Sequence, residues 1–378
     1  MRFATELLHG PLDRDAATGA VSPPIYQTST FAQPSFDTFG KYDYSRSGNP
    51  TRDALEDAIA RLEGGSRGFA FATGMAAICS TLLIFKPGDH LVVCEDVYGG
   101  AFRALSKLFA QWGLAVTFVD ATSLEAFAAA IRPETVALYL ETPSNPLLKI
   151  TDLKGAAALA KQHNLLTLVD NTFMTPLLQR PLELGCDIVL HSGTKFINGH
   201  SDVVCGLVVV NRDDLAQRIG FVQNAFGAVL GPQDCWLTLR GIRTLKVRLE
   251  ESQRSAQALA GWLAKHPRVT QVYYPGLADH PGAAIHAAQA DGPGAVFSFE
   301  LDSVELTRKV LEGAHLAAFA VSLGGVESII SYPAKMSHAA MPPSERAARG
   351  ISDTLIRLSV GLEDLDDLQE ELARLLGA

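Results

Sequence analysis

An α/β fold, with a mostly parallel sheet covered by helices on both faces, is what this 378-residue sequence predicts. Three observations predict it. Short, continuously apolar runs alternate with helical stretches over residues 68–210, the pattern of strands buried on both sides. Gly74, Tyr98, Glu141, Asp170 and Lys195 each follow closely after one of these runs, where ligands of such sheets bind. A long helical stretch from Gln233 towards Lys265 then leads into a second region where short strands and helices mix. The expected organisation is an N-terminal arm over 1–50, a large α/β domain over 51–245 and a small α+β domain over 246–378.

The arm is rich in Pro, Ser, Thr and Gly and weakly periodic, yet it carries Ile25, Tyr26, Phe31, Phe36, Phe39, Tyr42 and Tyr44. So many large apolar groups do not belong on a solvated tail, and the arm is expected to pack on a partner subunit. Pro50 and Thr51 open a helix that Gly64-Gly65 stops. Strands are then expected at 68–72, 90–94, 116–119, 136–140, 165–170, 188–190 and 203–210. Helices are expected at 75–85, 101–112, 124–131, 152–163 and 213–226, followed by one continuous helix from Gln233 to about Lys265. Beyond it, strands at 269–273, 295–301 and 355–360 alternate with helices, the last an amphipathic one at 364–376.

Composition narrows the function. With 47% hydrophobic and 19% charged residues the chain is globular and well buried. A net charge of −9, spread along the chain, suits neither a nucleic acid nor an anionic membrane partner. No apolar stretch approaches the ~20 residues that span a bilayer, and MRFATELLHG lacks a cationic head before an apolar run. Cys79, Cys94, Cys186, Cys205 and Cys235 lack CxxC spacing, so free thiols are expected, with neither disulfides nor a metal site. The expectation is a cytoplasmic enzyme.

HSGTKFINGH, residues 191–200, places Lys195 past an apolar run among small hydroxyl residues. A partly desolvated lysine there has a lowered pKa and a usable amine; a solvated lysine in a polar turn is the competing reading. Ala72-Thr73-Gly74-Met75 reads as strand, glycine and helix N-terminus, a cradle for a phosphate to which Ser192 and Thr194 could add hydroxyls. The chain has neither GxGxxG nor GxxxxGK[ST], which disfavours a nucleotide. Asp170 closes the buried run LLTLVD and needs a cation, such as a protonated pyridine nitrogen, or local backbone donors. Tyr98 in DVYGG offers a ring face for stacking. Arg357 in LIRLSVGLE must meet an anion, either a substrate α-carboxylate or a structural carboxylate. Each piece alone is ambiguous. Together they suit an amino-acid enzyme using pyridoxal 5′-phosphate.

YSRSGNPT, FATGMAA, VYGG, ETPSNP, VDNTF, HSGTKFINGH, SLGGVES and RLSVGLE resemble, in order, the motifs of the Cys/Met-metabolism pyridoxal-phosphate enzymes, the cystathionine γ-synthases, cystathionine β- and γ-lyases and methionine γ-lyases. The resemblance runs almost end to end. It implies a fold-type I enzyme with a seven-stranded sheet, working as a homotetramer of two dimers with shared active sites. Lys195 would form the Schiff base and act as the catalytic base, Asp170 would hold the pyridine nitrogen and Tyr98 would stack on the ring. Gly74, Met75, Ser192 and Thr194 would bind the phosphate, joined by Tyr44 and Arg46 of the neighbouring subunit. Arg357, Asn145 and Ser322 would hold the substrate carboxylate, with Asp43 and Val321 on the substrate side. Gly100 stands where methionine γ-lyases carry a reactive cysteine. Asp43 resembles the acidic residue of γ-synthases and γ-lyases, whereas Val321 replaces the glutamate many of them carry. SYPAKMSHAAMP resembles lyases of Gram-positive bacteria. The expected reaction is β-elimination of L-cystathionine to homocysteine, pyruvate and ammonia, with γ-lyase, γ-synthase and methionine γ-lyase activities as alternatives.

Overall fold

The computed structural model describes residues 1–9, 15, 17–339 and 342–377. Seven strands form the larger sheet: β1 (Arg67–Phe71), β2 (His90–Cys94), β3 (Ala115–Val119), β4 (Thr135–Glu141), β5 (Leu166–Asp170), β6 (Ile188–Ser192) and β7 (Gly206–Val210). Their spatial order is β1-β7-β6-β5-β4-β2-β3. β7 runs antiparallel to β1 and to β6, and the remaining pairs are parallel. β2 and β7 are buried at every position, which is why HLVVC and GLVVV show no polar alternation.

Local chemistry fixes the helix ends. Asn49 caps the helix Pro50–Leu62 by accepting from the Thr51 and Arg52 N–H groups, and Pro50 occupies its first turn. Thr73 caps Gly74–Leu82 through the Ala76 N–H. Gly227, at φ +79°, ends Asp213–Phe226 in the left-handed conformation.

Three expectations need correcting. A short helix at Phe3–His9 lies in the arm. The helix expected at 101–112 starts as an α-helix over Gly99–Arg103 and continues as a π-helical segment over Ala104–Phe109. The single helix expected from Gln233 is two, Pro232–Ile242 and Leu245–Leu263. Arg248, 6% exposed, bridges this break: its guanidinium donates to Gly241 O at the end of the first helix and to Phe196 O and Ile197 O of the loop after β6. At the end of the first helix Gly241 O lacks an i+4 partner and accepts from the Thr244 N–H and hydroxyl and from the Arg248 guanidinium instead.

A second sheet follows, built from β8 (Val269–Tyr273), β9 (Val296–Leu301), β10 (Ala318–Phe319), β11 (Ile329–Ser331) and β12 (Leu355–Ser359), in the order β10-β11-β12-β9-β8. The amphipathic helix Leu365–Leu376 packs Leu368, Leu372, Leu375 and Leu376 into the core beside it. Among the described residues no helix is long and apolar enough to cross a membrane. All five cysteines are free, and all but Cys79 are buried.

Candidate active site

The carboxyl ends of β4, β5 and β6 open into a cavity of about 610 Å³, closed on the far side by the 321–323 segment and by Arg357 of β12. Parallel pairing puts Glu141 level with Asp170, so two carboxylates end neighbouring strands at one height.

Lys195 lies in the loop after β6. Its Nζ donates to Ser322 Oγ at 2.7 Å. Burial lowers its pKa to about 8, and the nearby Arg357 cation pushes in the same direction. The loop is held tightly from behind. A Cβ on Gly199, at φ +74°, would collide with the Arg248 guanidinium, and one on Gly241 would sit 2.3 Å from Asn198 O. These contacts explain the glycine at 199, within the lysine motif, and the one at 241, on the helix packed behind it.

Ser322 takes φ +91°, a strained value for a residue with a Cβ. That conformation lets one residue serve two cations: the hydroxyl meets Lys195, and the carbonyl accepts from Arg357 at 2.8 Å. The second arm of the Arg357 fork donates to Asn145 Oδ1, also at 2.8 Å. Arg357 Nε is buried and has no partner among the described residues. The arginine therefore meets neutral oxygens and no structural carboxylate, which leaves its charge available to an incoming anion.

Asp170 is 8% exposed and forms no ion pair among the described residues. Burial raises its pKa, while the Thr172 hydroxyl and N–H, both donating to Oδ1, act against that rise. Thr172 also accepts from the Ser192 N–H, tying Asp170 to the lysine strand. Glu141 is raised further, by burial and then by the Asp170 charge, and accepts from the Tyr98 N–H at 2.7 Å. Tyr98 is 41% exposed and lines the cavity.

At the N-terminus of helix Gly74–Leu82, Gly74 faces Ser192: a Cβ there would lie 3.0 Å from the Ser192 side chain. Thr194 also lines the cavity, although its hydroxyl is engaged with the Cys205 backbone, accepting at 2.8 Å and donating at 3.3 Å. Met75, Asn145 and Val321 are cavity residues too. Tyr44 and Arg46 are not. They sit on the exposed arm, the Arg46 guanidinium 5.3 Å from the Tyr44 ring centre, and Asp43 beside them bonds the Tyr44 N–H. Sequence reading overlooked Arg103, five residues past Tyr98, and Met336 and Ser337 from the second region, all lining the cavity. Arg103 had a signal in its position just after Tyr98; Met336 and Ser337 lie within SYPAKMSHAAMP, but only folding brings that run to the cavity.

This geometry admits pyridoxal phosphate. A helix N-terminus with Ser192 beside it suits the phosphate, a buried carboxylate with no ion pair among the described residues suits the protonated ring nitrogen, and a lysine with lowered pKa suits the aldehyde. Comparison with known proteins decides the family. Residues 4–376 match the family of Cys/Met metabolism PLP-dependent enzymes. The chain belongs to this family. Members similar to it include the cystathionine beta-lyase MetC of Bacillus subtilis strain 168, 58% identical over 98% of this chain and 95% of that protein. The cystathionine gamma-lyase of the same organism is 50% identical over 100% of this chain and 99% of its own length. The crystal structure of cystathionine gamma-lyase from Lactobacillus plantarum, complexed with L-serine, superposes with a TM-score of 0.98 at 48% identity, covering 100% of this chain and 99% of that one. The fold is thus that of the fold-type I enzymes, and the chain is an enzyme dependent on pyridoxal phosphate.

Proposed function

We propose that this enzyme cleaves L-cystathionine by β-elimination, releasing homocysteine, pyruvate and ammonia. The observation that carries the proposal is the Arg357–Ser322–Lys195 chain, supported by 58% identity to a cystathionine beta-lyase. Arg357 and Asn145 hold the carboxylate of the reacting amino acid, which orients its Cα–H towards Lys195. When bound, pyridoxal phosphate supplies the aldehyde that takes the substrate's amino group and a ring that draws electrons from Cα. Asp170 keeps the ring nitrogen protonated, and Tyr98 covers the ring face. Lys195, with a pKa of about 8, carries enough neutral amine near neutral pH to take the α-proton. The Cβ–S bond then breaks with its electron pair on sulfur, and the thiolate leaves as homocysteine after gaining a proton. Water hydrolyses the three-carbon remainder to pyruvate and ammonia.

Cystathionine has two amino-acid ends, and Arg103 at the cavity edge supplies a second cation for the distal carboxylate. Gly74, Met75, Ser192 and Thr194 serve the phosphate, with Tyr44 and Arg46 reaching it from a second subunit; Asp43 and Val321 face the distal part of the substrate. Phe36 and Phe39, 93% and 74% exposed, support an arm that packs on another copy. The assembly we propose is a cytoplasmic homotetramer of two dimers, each chain organised as arm 1–50, large domain 51–245 and small domain 246–378.

The test is product analysis with L-cystathionine, separating pyruvate from 2-oxobutyrate. Pyruvate with homocysteine supports the proposal. 2-Oxobutyrate with cysteine would replace it by γ-elimination, a second reading favoured by the 50% identity to a cystathionine gamma-lyase.

A further inference from the structure

Arg52 takes no part in the cavity, yet it is almost fully buried, with 2% of its surface exposed. Its guanidinium fork does not close on a carboxylate. One arm donates to Ser45 O at 2.6 Å and the other to Arg46 O at 3.0 Å. Its Nε stands 3.6 Å from Glu56 Oε1, beyond hydrogen-bonding distance, and has no other partner among the described residues. Glu56 is itself fastened to the large sheet, accepting from the Ala70 N–H at 2.9 Å and from Gln223 Nε2 at 2.8 Å. Asn49 completes the platform by donating to Tyr26 O and Ser45 Oγ. The two carbonyls that Arg52 grips belong to the turn carrying Tyr44 and Arg46, whose side chains point away, exposed and stacked on each other. Asn224, from the neighbouring helix, holds Arg46 Nε at 3.3 Å.

The Glu56 carboxylate, 3.6 Å from Nε, offsets part of the cost of burying this guanidinium, but that ion pair asks nothing of the two terminal nitrogens, which are spent on carbonyls of an exposed turn. The cost is understandable if the turn must hold one shape before a second copy arrives, because a prearranged pair of donors binds an anion without first being ordered. We infer that Arg52 is a positioning residue: its fork locks the Ser45–Arg46 backbone so that Tyr44 and Arg46 are presented, ready formed, to the cofactor phosphate of a second copy of this chain. This rests on the proposed sharing of sites between subunits and adds to it the element that makes the arm competent.

Arg52→Lys is the informative variant, since lysine keeps a cation opposite Glu56 but cannot span two carbonyls. It is expected to keep the parent's melting temperature within a few degrees and to bind pyridoxal phosphate about tenfold more weakly, the loss of one well-placed charged contact. Arg46→Ala should weaken binding at least as much. The deciding measurement uses co-expressed, doubly tagged oligomers that mix either variant with Lys195→Ala. These are stripped of cofactor and titrated with pyridoxal 5′-phosphate while the visible band of the lysine-bound cofactor is followed. Only cavities retaining Lys195 give that band, and in mixed dimers they face an intact arm from the Lys195→Ala chain. A fraction of sites with parental affinity in both mixtures is the expected result. Rescue of Arg46→Ala without rescue of Arg52→Lys would overturn the role of Arg52 and leave the shared site standing. Failure to rescue Arg46→Ala would take down both. Glu56→Gln provides a second check, leaving the fork on both carbonyls and therefore binding cofactor as the parent does; weaker binding there than in Arg52→Lys would place the effect in the core and reject the inference.

Discussion

The cavity around Lys195 and the arm before Pro50 stand at opposite extremes of self-sufficiency. In the cavity, residues as far apart as Asn145 and Arg357 meet within one chain, and Lys195, Asp170 and Arg357 are each held by neutral groups of that same chain. The arm ends in exposed aromatics and an exposed Tyr44–Arg46 pair that reaches nothing in the cavity. Chemistry that needs a low-dielectric environment is built where the sheet and the second region close over it. Contacts that only retain an anion can be left on the surface, to be completed by another copy. On the proposed reading the cavity carries the reaction and the arm of a second copy would help to retain the cofactor.

The largest effect should come from removing the amine. Lys195→Ala is expected to lower turnover of L-cystathionine by at least ~10³-fold and to abolish the visible band of the lysine-bound cofactor; steady-state elimination near the parental rate would break the comparison at its centre. Next comes Arg357→Lys, which keeps the charge but not the fork joining Ser322 and Asn145. Loss of a paired, charged contact of about 1.5–3 kcal/mol corresponds to ~10–150-fold in kcat/KM. The loss should fall mainly on KM, with the cofactor band intact. A loss of cofactor instead would mean that the arginine belongs to the cofactor's own binding.

The smallest effect is on pH. Burial and the Arg357 charge lower the Lys195 pKa from 10.5 to about 8, so the neutral amine becomes the major form as pH rises through 8. Capture of pyridoxal phosphate by cofactor-free protein should therefore speed up through about pH 8 and level off above it. Replacing Arg357 by alanine removes a neighbouring cation, which raises the lysine pKa and moves the midpoint upward. A rate still climbing at about pH 10, as for a solvated lysine, would show that the amine is not desolvated.

Much of this molecule is legible in its residues, and the reasons differ from place to place. Apolar runs such as LTLVD and GLVVV read as buried strands, because they are short, rich in β-branched residues and show no polar alternation. Lys195, Asp170 and Gly74 could then be placed at strand ends by counting. The break at Arg243–Thr244 could not be read, since both flanking stretches carry a helical period and the Arg248 contacts that bridge the break, to Phe196 and Gly241, are tertiary. Nor could the π-helical segment after Tyr98, which leaves no mark in the hydrophobic period.

Local sequence, then, determined the strands, the caps and the residue types able to hold a phosphate, a ring and a carboxylate, because hydrophobic period and side-chain chemistry act within a few residues. Tertiary structure alone decided that Ser322 would bridge Lys195 and Arg357, that Glu141 would stand level with Asp170, and that Arg103 and Met336 would face the same cavity. Each of those meetings spans a sheet or joins two regions, and a contact between residues far apart along the chain is settled only when the whole core closes.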